Sequence, residues 1–277
     1  MNIQIKKFDP TKMDPCRTCV FISKRNTGKS VLIKDILYHQ RRIPMGVIMS
    51  GTEESNEHYQ NFVPDSFIYG QYEPEVIQKI IANQQKVIKK LSPTEKEDFK
   101  NPGNSIFLLM DDCMFDNKWT RDKDMRCIFM NGRHYRIFFM LTLQYCMDLP
   151  PSLRGQCDYI FVLRENIIEN KQKLWKHFFG IFPDFETFSQ VLTQCTENYE
   201  CLVLNVRSTS NKIEDVVFWY KAKIGRKFKI GSPSLWQHHK IHYNPNHGDP
   251  ETQEVKVKKN KITVTKTDSD GKRKKKG

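Results

Sequence analysis

The run Ser23-Lys24-Arg25-Asn26-Thr27-Gly28-Lys29-Ser30 sets a glycine, a lysine and a hydroxyl in consecutive positions, directly after the apolar stretch Cys19-Val20-Phe21-Ile22. Those residue types in that order can hold phosphate. Gly28 lets the backbone turn its N–H groups toward an anion, Lys29 can reach a β- or γ-phosphate, and Ser30 offers an oxygen to Mg²⁺. The loop fits GxxxxGK[ST] except at its first position, where Ser23 stands in place of glycine. Serine makes that turn provided its φ stays negative. The expected ligand along Ser23–Ser30 is a nucleotide with its metal ion, and the plain alternative is a surface loop between an ordinary strand and helix.

A second group suits hydrolysis of such a ligand. Ile106-Phe-Leu-Leu-Met110 followed by Asp111-Asp112 has the form of a Walker B element. Asp111 would stand near the Mg²⁺, chiefly through water, and Asp112 would polarise the attacking water, since in-line displacement needs an oriented nucleophile. Many motors carry Glu in the second place; Asp is shorter, and an acidic pair can also merely cap a strand. Gln144 ends another apolar run, and its amide could touch both a γ-phosphate and the water, or simply cap a turn. Arg133 and Arg154 are candidate arginine fingers, able to neutralise charge on a phosphoryl group across a subunit boundary. Each has a plain alternative as a surface or DNA-contacting arginine.

Elements must bring these residues together. Short, mostly apolar runs at 19–22, 45–50, 105–110, 136–143 and 159–163 read as buried strands, separated by segments with helical spacing such as 74–91. Strands mostly apolar along their length and alternating with helices predict an α/β fold, with a mostly parallel sheet sandwiched by helices. Ligands of such sheets lie beyond the strands' C-terminal ends, where Ser23, Asp111 and Gln144 all fall. Runs at 201–206 and 216–220 read as two further strands paired across the turn between them. The chain is expected to divide into an ATPase domain over 1–231 and a polar, basic C-terminal extension over 232–277, disordered from about residue 248.

Composition narrows the partners. Lys and Arg number 45 against 32 Asp and Glu, a formal charge of +13, of which residues 250–277 carry +6. Such a surplus favours an anionic partner, nucleic acid first, and gives a small-molecule kinase no evident use for it. Eight scattered cysteines suit reduced thiols inside a cell better than a disulfide frame. No leader opens the chain and no apolar run is long enough for a transmembrane segment, so an intracellular place is expected. Cys16-x-x-Cys19 lacks a second ligand pair at zinc spacing. His238, His239, His242 and His247 have no Cys or carboxylate frame for a metal. Lys272–Lys276 is a polybasic end that suits solvation, nucleic-acid contact or nuclear targeting.

Taken together, TGKSVLIKDIL, IFLLMDDC, NGRHYRIFFMLTLQY and LPPSLRGQCDYIFVLRE resemble the genome-packaging ATPases of large nucleocytoplasmic DNA viruses, within the FtsK–HerA group of DNA-pumping P-loop motors. The resemblance spans residues 18–225. It implies a P-loop NTPase with a RecA-like ASCE core, a homo-oligomeric ring with ATP sites between subunits, and ATP with Mg²⁺ at the loop. Lys29, Ser30, Asp111, Asp112 and Gln144 then occupy the family's functional places. It further implies sequence-independent double-stranded DNA as substrate, and packaging of a viral genome alongside capsid or membrane proteins of the virus. The infected host cell, in a cytoplasmic factory or the nucleus, or the virion itself is then its place. The rival reading is a nucleotide-dependent switch or scaffold that binds ATP and recruits partners without sustained turnover.

Overall fold

The computed structural model describes residues 3–52, 57–113 and 117–244. Among these, nine strands form one sheet: β1 (Lys6–Lys7), β2 (Thr18–Ile22), β3 (Met45–Ser50), β4 (Ile68–Tyr69), β5 (Ile106–Asp111), β6 (Ile137–Leu143), β7 (Tyr159–Val162), β8 (Glu200–Asn205) and β9 (Val217–Lys221). Their spatial order is β1-β9-β8-β7-β2-β6-β5-β3-β4. Every neighbouring pair is parallel except β7 with β8 and β8 with β9, so β8 alone runs against the rest. The expected mostly parallel sheet is what the chain forms, and the two late strands do pair with each other.

Why the strands lack alternation is visible in the packing. Residues of one parity, such as Val20, Met49, Leu108 and Leu141, enter a core that also takes Ile77, Ile80, Ile128, Phe188 and Leu192 from helices. Residues of the other parity, such as Phe21, Ile48, Leu109 and Phe138, pack on Leu32, Ile33, Ile36 and Leu37 of the helix that follows the loop. Both faces are covered, so both parities must be apolar. The covering helices are α1 (Lys29–His39) on the second face, and α2 (Pro74–Lys90), α3 (Lys123–Asn131), α4 (Ile168–His177) and α5 (Phe185–Gln194) on the first.

The topology sets the site. β2 is central, and β6 lies between it and β5. The residues after β2, β6 and β5 are therefore neighbours along one edge of the sheet. Because β8 is antiparallel, with Leu202 opposite Val162, its starting end lies at this same edge.

Two features escape the sequence reading. Ser92-Pro93 ends α2 and also starts a short helix, Pro93–Glu97, through a capping box in which Ser92 and Glu95 bond each other's backbone N–H. A helix, α6 (Pro233–His242), follows Gly231; its Trp236 Nε1 donates to the Ile230 carbonyl at 3.0 Å. The helix is polar and half-exposed, so it shows no apolar stripe to read. The expected disordered segment from about residue 248 lies outside the described residues.

Candidate active site

The loop after β2 is held at both ends. Ser23 N–H donates to the Leu143 carbonyl at 2.9 Å, extending the β2–β6 ladder by one bond. Ser23 is not among the residues with positive φ, so it meets the condition for replacing glycine, and its buried hydroxyl finds no hydrogen-bond partner. Farther on, Thr27 Oγ1 donates to the Lys24 carbonyl at 2.8 Å, while Asn26 and Gly28 take left-handed φ of 62° and 96°. A side chain at Gly28 would be strained at that φ, and its Cβ would stand 3.2 Å from the Tyr199 ring. Helix α1 then begins at Lys29 with no side-chain cap on its first N–H groups. Uncapped N–H groups at a helix start form an anion site.

Lys29 turns toward the acidic pair. Its ammonium lies 3.1 Å from Asp111 Oδ1 and 2.6 Å from Asp112 Oδ1. Asp111 is buried and held on both oxygens: Tyr59 OH donates to Oδ2 at 2.6 Å and Thr142 Oγ1 to Oδ1 at 2.8 Å. The same threonine oxygen accepts from Asp112 N–H at 3.1 Å, so one side chain of β6 orients both acids. Gln144 Nε2 approaches Asp112 Oδ1 at 3.4 Å. Asp112 itself is left-handed at φ 49°, a conformation that Asp and Asn adopt more readily than Glu. Here is a physical reason for the shorter acid. The carbonyl of this turn sits so close to Gly51 that a Cβ there would meet it at 2.7 Å.

Lys29, Asp111, Asp112, Thr142 and Gln144 line a cleft of about 880 Å³, together with Lys24, Arg25, Asn26, Gly28 and Ser30; Ser23 and Thr27 are not in that lining. That volume falls in the range of small-ligand sites, roughly 300–1,000 Å³. The oxygens of Ser30 and Asp111 are hard donors of the kind Mg²⁺ takes. The uncapped helix start with Lys29 suits a polyphosphate, so the residues present fit both.

Neither candidate finger lines this cleft. Arg133 is exposed, lies with its guanidinium 4.7 Å from the centre of the Phe99 ring, and borders a cavity with Thr18 and Asp158 at the opposite edge of the sheet. Arg154 is half-buried; its Nε donates to the Leu149 carbonyl at 2.8 Å and its Nη2 approaches Met147 Sδ at 3.5 Å.

The chain is 39% identical to the uncharacterized protein L437 of Acanthamoeba polyphaga mimivirus over 248 residues, 89% of this chain and 87% of that one. With the uncharacterized protein 075L of Invertebrate iridescent virus 6 it shares 33% identity, over 87% of this chain and 95% of the other. The chain belongs to this family of large-DNA-virus proteins. No family model matches it. Among solved structures, the genome packaging NTPase B204 from Sulfolobus turreted icosahedral virus 2, in complex with AMP, superposes with a TM-score of 0.54 at 18% identity, covering 76% of this chain and all of that one. The sulfate complex of the same NTPase gives a TM-score of 0.50 over 76% of this chain and 98% of that one. The fold of this viral family member is thus the fold of a P-loop NTPase.

Four side chains in or around the site were not legible in the sequence: Thr142, which lines the cleft, and Tyr59, Glu165 and Tyr199, which stand against Asp111, Lys24 and Gly28. Glu165, just beyond β7, accepts from Lys24 Nζ at 2.5 Å, from Ile167 N–H at 2.8 Å and from Asn170 Nδ2 at 3.1 Å. Burial works against its charge, but those bonds prevail and hold its pKa below the ordinary glutamate value. The loop is thereby tied to β7. Cys113, next to the acidic pair, is pushed up to about 12 by burial and by Asp111, so it stays a thiol. Cys16 is likewise raised to about 11, chiefly by burial.

Proposed function

We propose that this protein hydrolyses ATP and uses the energy to move double-stranded DNA, packaging a viral genome. The observation that carries the reading is the convergence of Lys29, Asp111, Asp112 and Gln144 within one cleft at one sheet edge. A protein that only bound nucleotide would need the loop but not a water-orienting set beside it.

In this reading, the first N–H groups of α1 and the Lys29 ammonium take the phosphates. Ser30 and Asp111 would hold Mg²⁺. An ion held there would supply positive charge against the phosphates. Thr142 and Tyr59 fix the direction in which Asp111 presents its carboxylate. Asp112, pinned through its N–H by Thr142, accepts the proton of the attacking water, and Gln144 orients that water from the next strand end. Arg133 or Arg154, neither of which lines the cleft of its own chain, would enter the cleft of a neighbour in a homo-oligomeric ring.

Three observations support DNA as the partner. The chain carries +13, its relatives are proteins of large DNA viruses, and the structurally similar B204 is a genome packaging NTPase. Cations that grip phosphates without reading bases suit a motor that must pass any sequence. The basic segment 250–277 would add to that grip. Action in the infected cell, in contact with capsid or membrane proteins at the packaging site, completes the proposal.

The test is steady-state ATPase activity of the full chain, with oligomeric state sized in parallel. Turnover stimulated by double-stranded DNA of unrelated sequences is expected. ATP binding without turnover, with or without DNA, would favour the switch instead.

A further inference from the structure

Among the described residues, Tyr199 is a large aromatic side chain left 70% exposed beside the loop. It directly precedes β8, whose starting end shares the sheet edge of Ser23 and Gln144. Asn198 and Tyr199 take φ of 50° and 63° in succession. Asn visits that region readily; a bulky aromatic residue does not. The strained pair turns the ring onto the loop: the Cβ of any side chain at Gly28 would lie 3.2 Å from Tyr199 Cδ1 and 3.5 Å from its Cβ. An exposed aromatic held in a disfavoured backbone against a ligand loop is not explained by packing, because most of its surface stays in water.

Position along the sheet says which end of a nucleotide it would meet. Lys29 reaches Asp111 at the end of β5, so the β- and γ-phosphate side of the loop faces β6 and β5. Tyr199 lies on the other flank of β2, the side of β7 and β8. A triphosphate running toward Asp111 leaves its nucleoside on the Tyr199 side. Val31, in the first turn of α1, lines the cleft and is 38% exposed, adding an apolar wall.

We infer that Tyr199 is the platform on which the base of the bound nucleotide stacks, making it a positioning and specificity residue of the site. The inference rests on the nucleotide reading proposed above. Stacking reads the π-face that every base has and not its hydrogen-bonding edge. The site therefore accepts purine nucleoside triphosphates broadly, ATP and GTP alike, and prefers them over pyrimidines by stacking strength alone.

The test is calorimetric titration of the full chain, with Mg²⁺ present, by ATP, UTP and inorganic tripolyphosphate. Wild type is compared with Tyr199→Ala, Tyr199→Phe and Tyr199→Leu. Tyr199→Ala should weaken ATP binding roughly five- to 150-fold, leave tripolyphosphate unchanged and narrow the gap between ATP and UTP. Phe should restore ATP affinity. Leu, which keeps bulk against Gly28 without a π-face, should not. Equal ATP affinity in wild type and Tyr199→Leu would overturn the inference, as would a loss shared equally by ATP and tripolyphosphate. If wild type binds neither ligand, the nucleotide reading itself fails and takes this inference with it.

Discussion

The ammonium of Lys29 stands 2.6 Å from the Asp112 carboxylate and 3.1 Å from that of Asp111, so one cation holds two adjacent acids together. Without it, the two carboxylates would repel each other across a partly buried turn. The pair also gives the proposed chemistry an order. A phosphate that claims Lys29 releases Asp112 toward water, and until then the acid that would activate water is occupied.

Lys29→Ala should therefore do two things. It should abolish turnover, and it should destabilise the ligand-free protein by less than the roughly 3–5 kcal/mol of a fully buried pair, because truncating one partner leaves a partly buried charge uncompensated. The double variant Lys29→Ala/Asp112→Asn should regain most of that stability and none of the activity. Denaturant unfolding of wild type, the two single variants and the double variant reads the coupling. Additive losses would mean that the 2.6 Å contact carries no energy.

The two acids should separate by phenotype. Asp112→Asn keeps the left-handed turn, since Asn tolerates φ near 49°. It should bind ATP with Mg²⁺ normally and hydrolyse it poorly. Asp111→Asn disturbs a carboxylate held by Tyr59 and Thr142, and should weaken metal-dependent binding itself. Asp112→Glu, although chemically conservative, should lose activity because the longer acid must adopt a φ it disfavours. Equal, mild losses in all three would make the pair structural.

What the sequence disclosed and what it withheld divide by range. The loop, the acidic pair and Gln144 were legible because each ends a run buried on both sheet faces, and such runs stand out without alternation. Their shared edge followed from parallel topology. Tyr59 and Thr142 were not legible, because their bonds to Asp111 join residues 52 and 31 positions apart, and a tyrosine or threonine carries no local mark of a distant carboxylate. Tyr199 was hidden for another reason: its left-handed φ is a backbone property that no residue type announces, least of all an aromatic one. Arg133 and Arg154 look alike in sequence, yet the chain leaves the first exposed and fastens the second to Leu149.

That difference bears on the fingers. An arginine acting on a neighbour's nucleotide is worth ~10³–10⁵ in rate. Arg133→Ala should fold normally, since its side chain is exposed, and should nearly abolish turnover if it is the finger. Arg154→Ala breaks the bond to the Leu149 carbonyl and should also lower stability. Mixing either inactive variant with Lys29→Ala protein creates an interface with an intact loop and an intact arginine. Recovered activity in co-assembled mixtures identifies the finger, and no recovery for either arginine counts against action in trans.

The Lys24–Glu165 tie carries a pH signature. Glu165 titrates below its unfolded value of 4.5, so its contribution is fully present above that pH. It is lost as pH falls through the lower folded value. Wild type should exceed Glu165→Gln in thermal stability by a constant margin from neutral pH down to about pH 5, and the margin should close in stronger acid. Melting curves of both proteins across that span check it; a margin unchanged at pH 3 would assign the stability to packing and not to the charge.

The central claim, that hydrolysis at Lys29 and Asp112 drives movement along DNA, is tested most directly by displacement of a labelled third strand from a DNA triplex. Wild type with ATP and Mg²⁺ should strip the third strand from duplexes of unrelated sequence, whereas Asp112→Asn should bind the same duplex and leave the strand in place. Wild type that hydrolyses ATP at a DNA-stimulated rate but never displaces the strand, or displacement that proceeds equally with Asp112→Asn, would contradict the account.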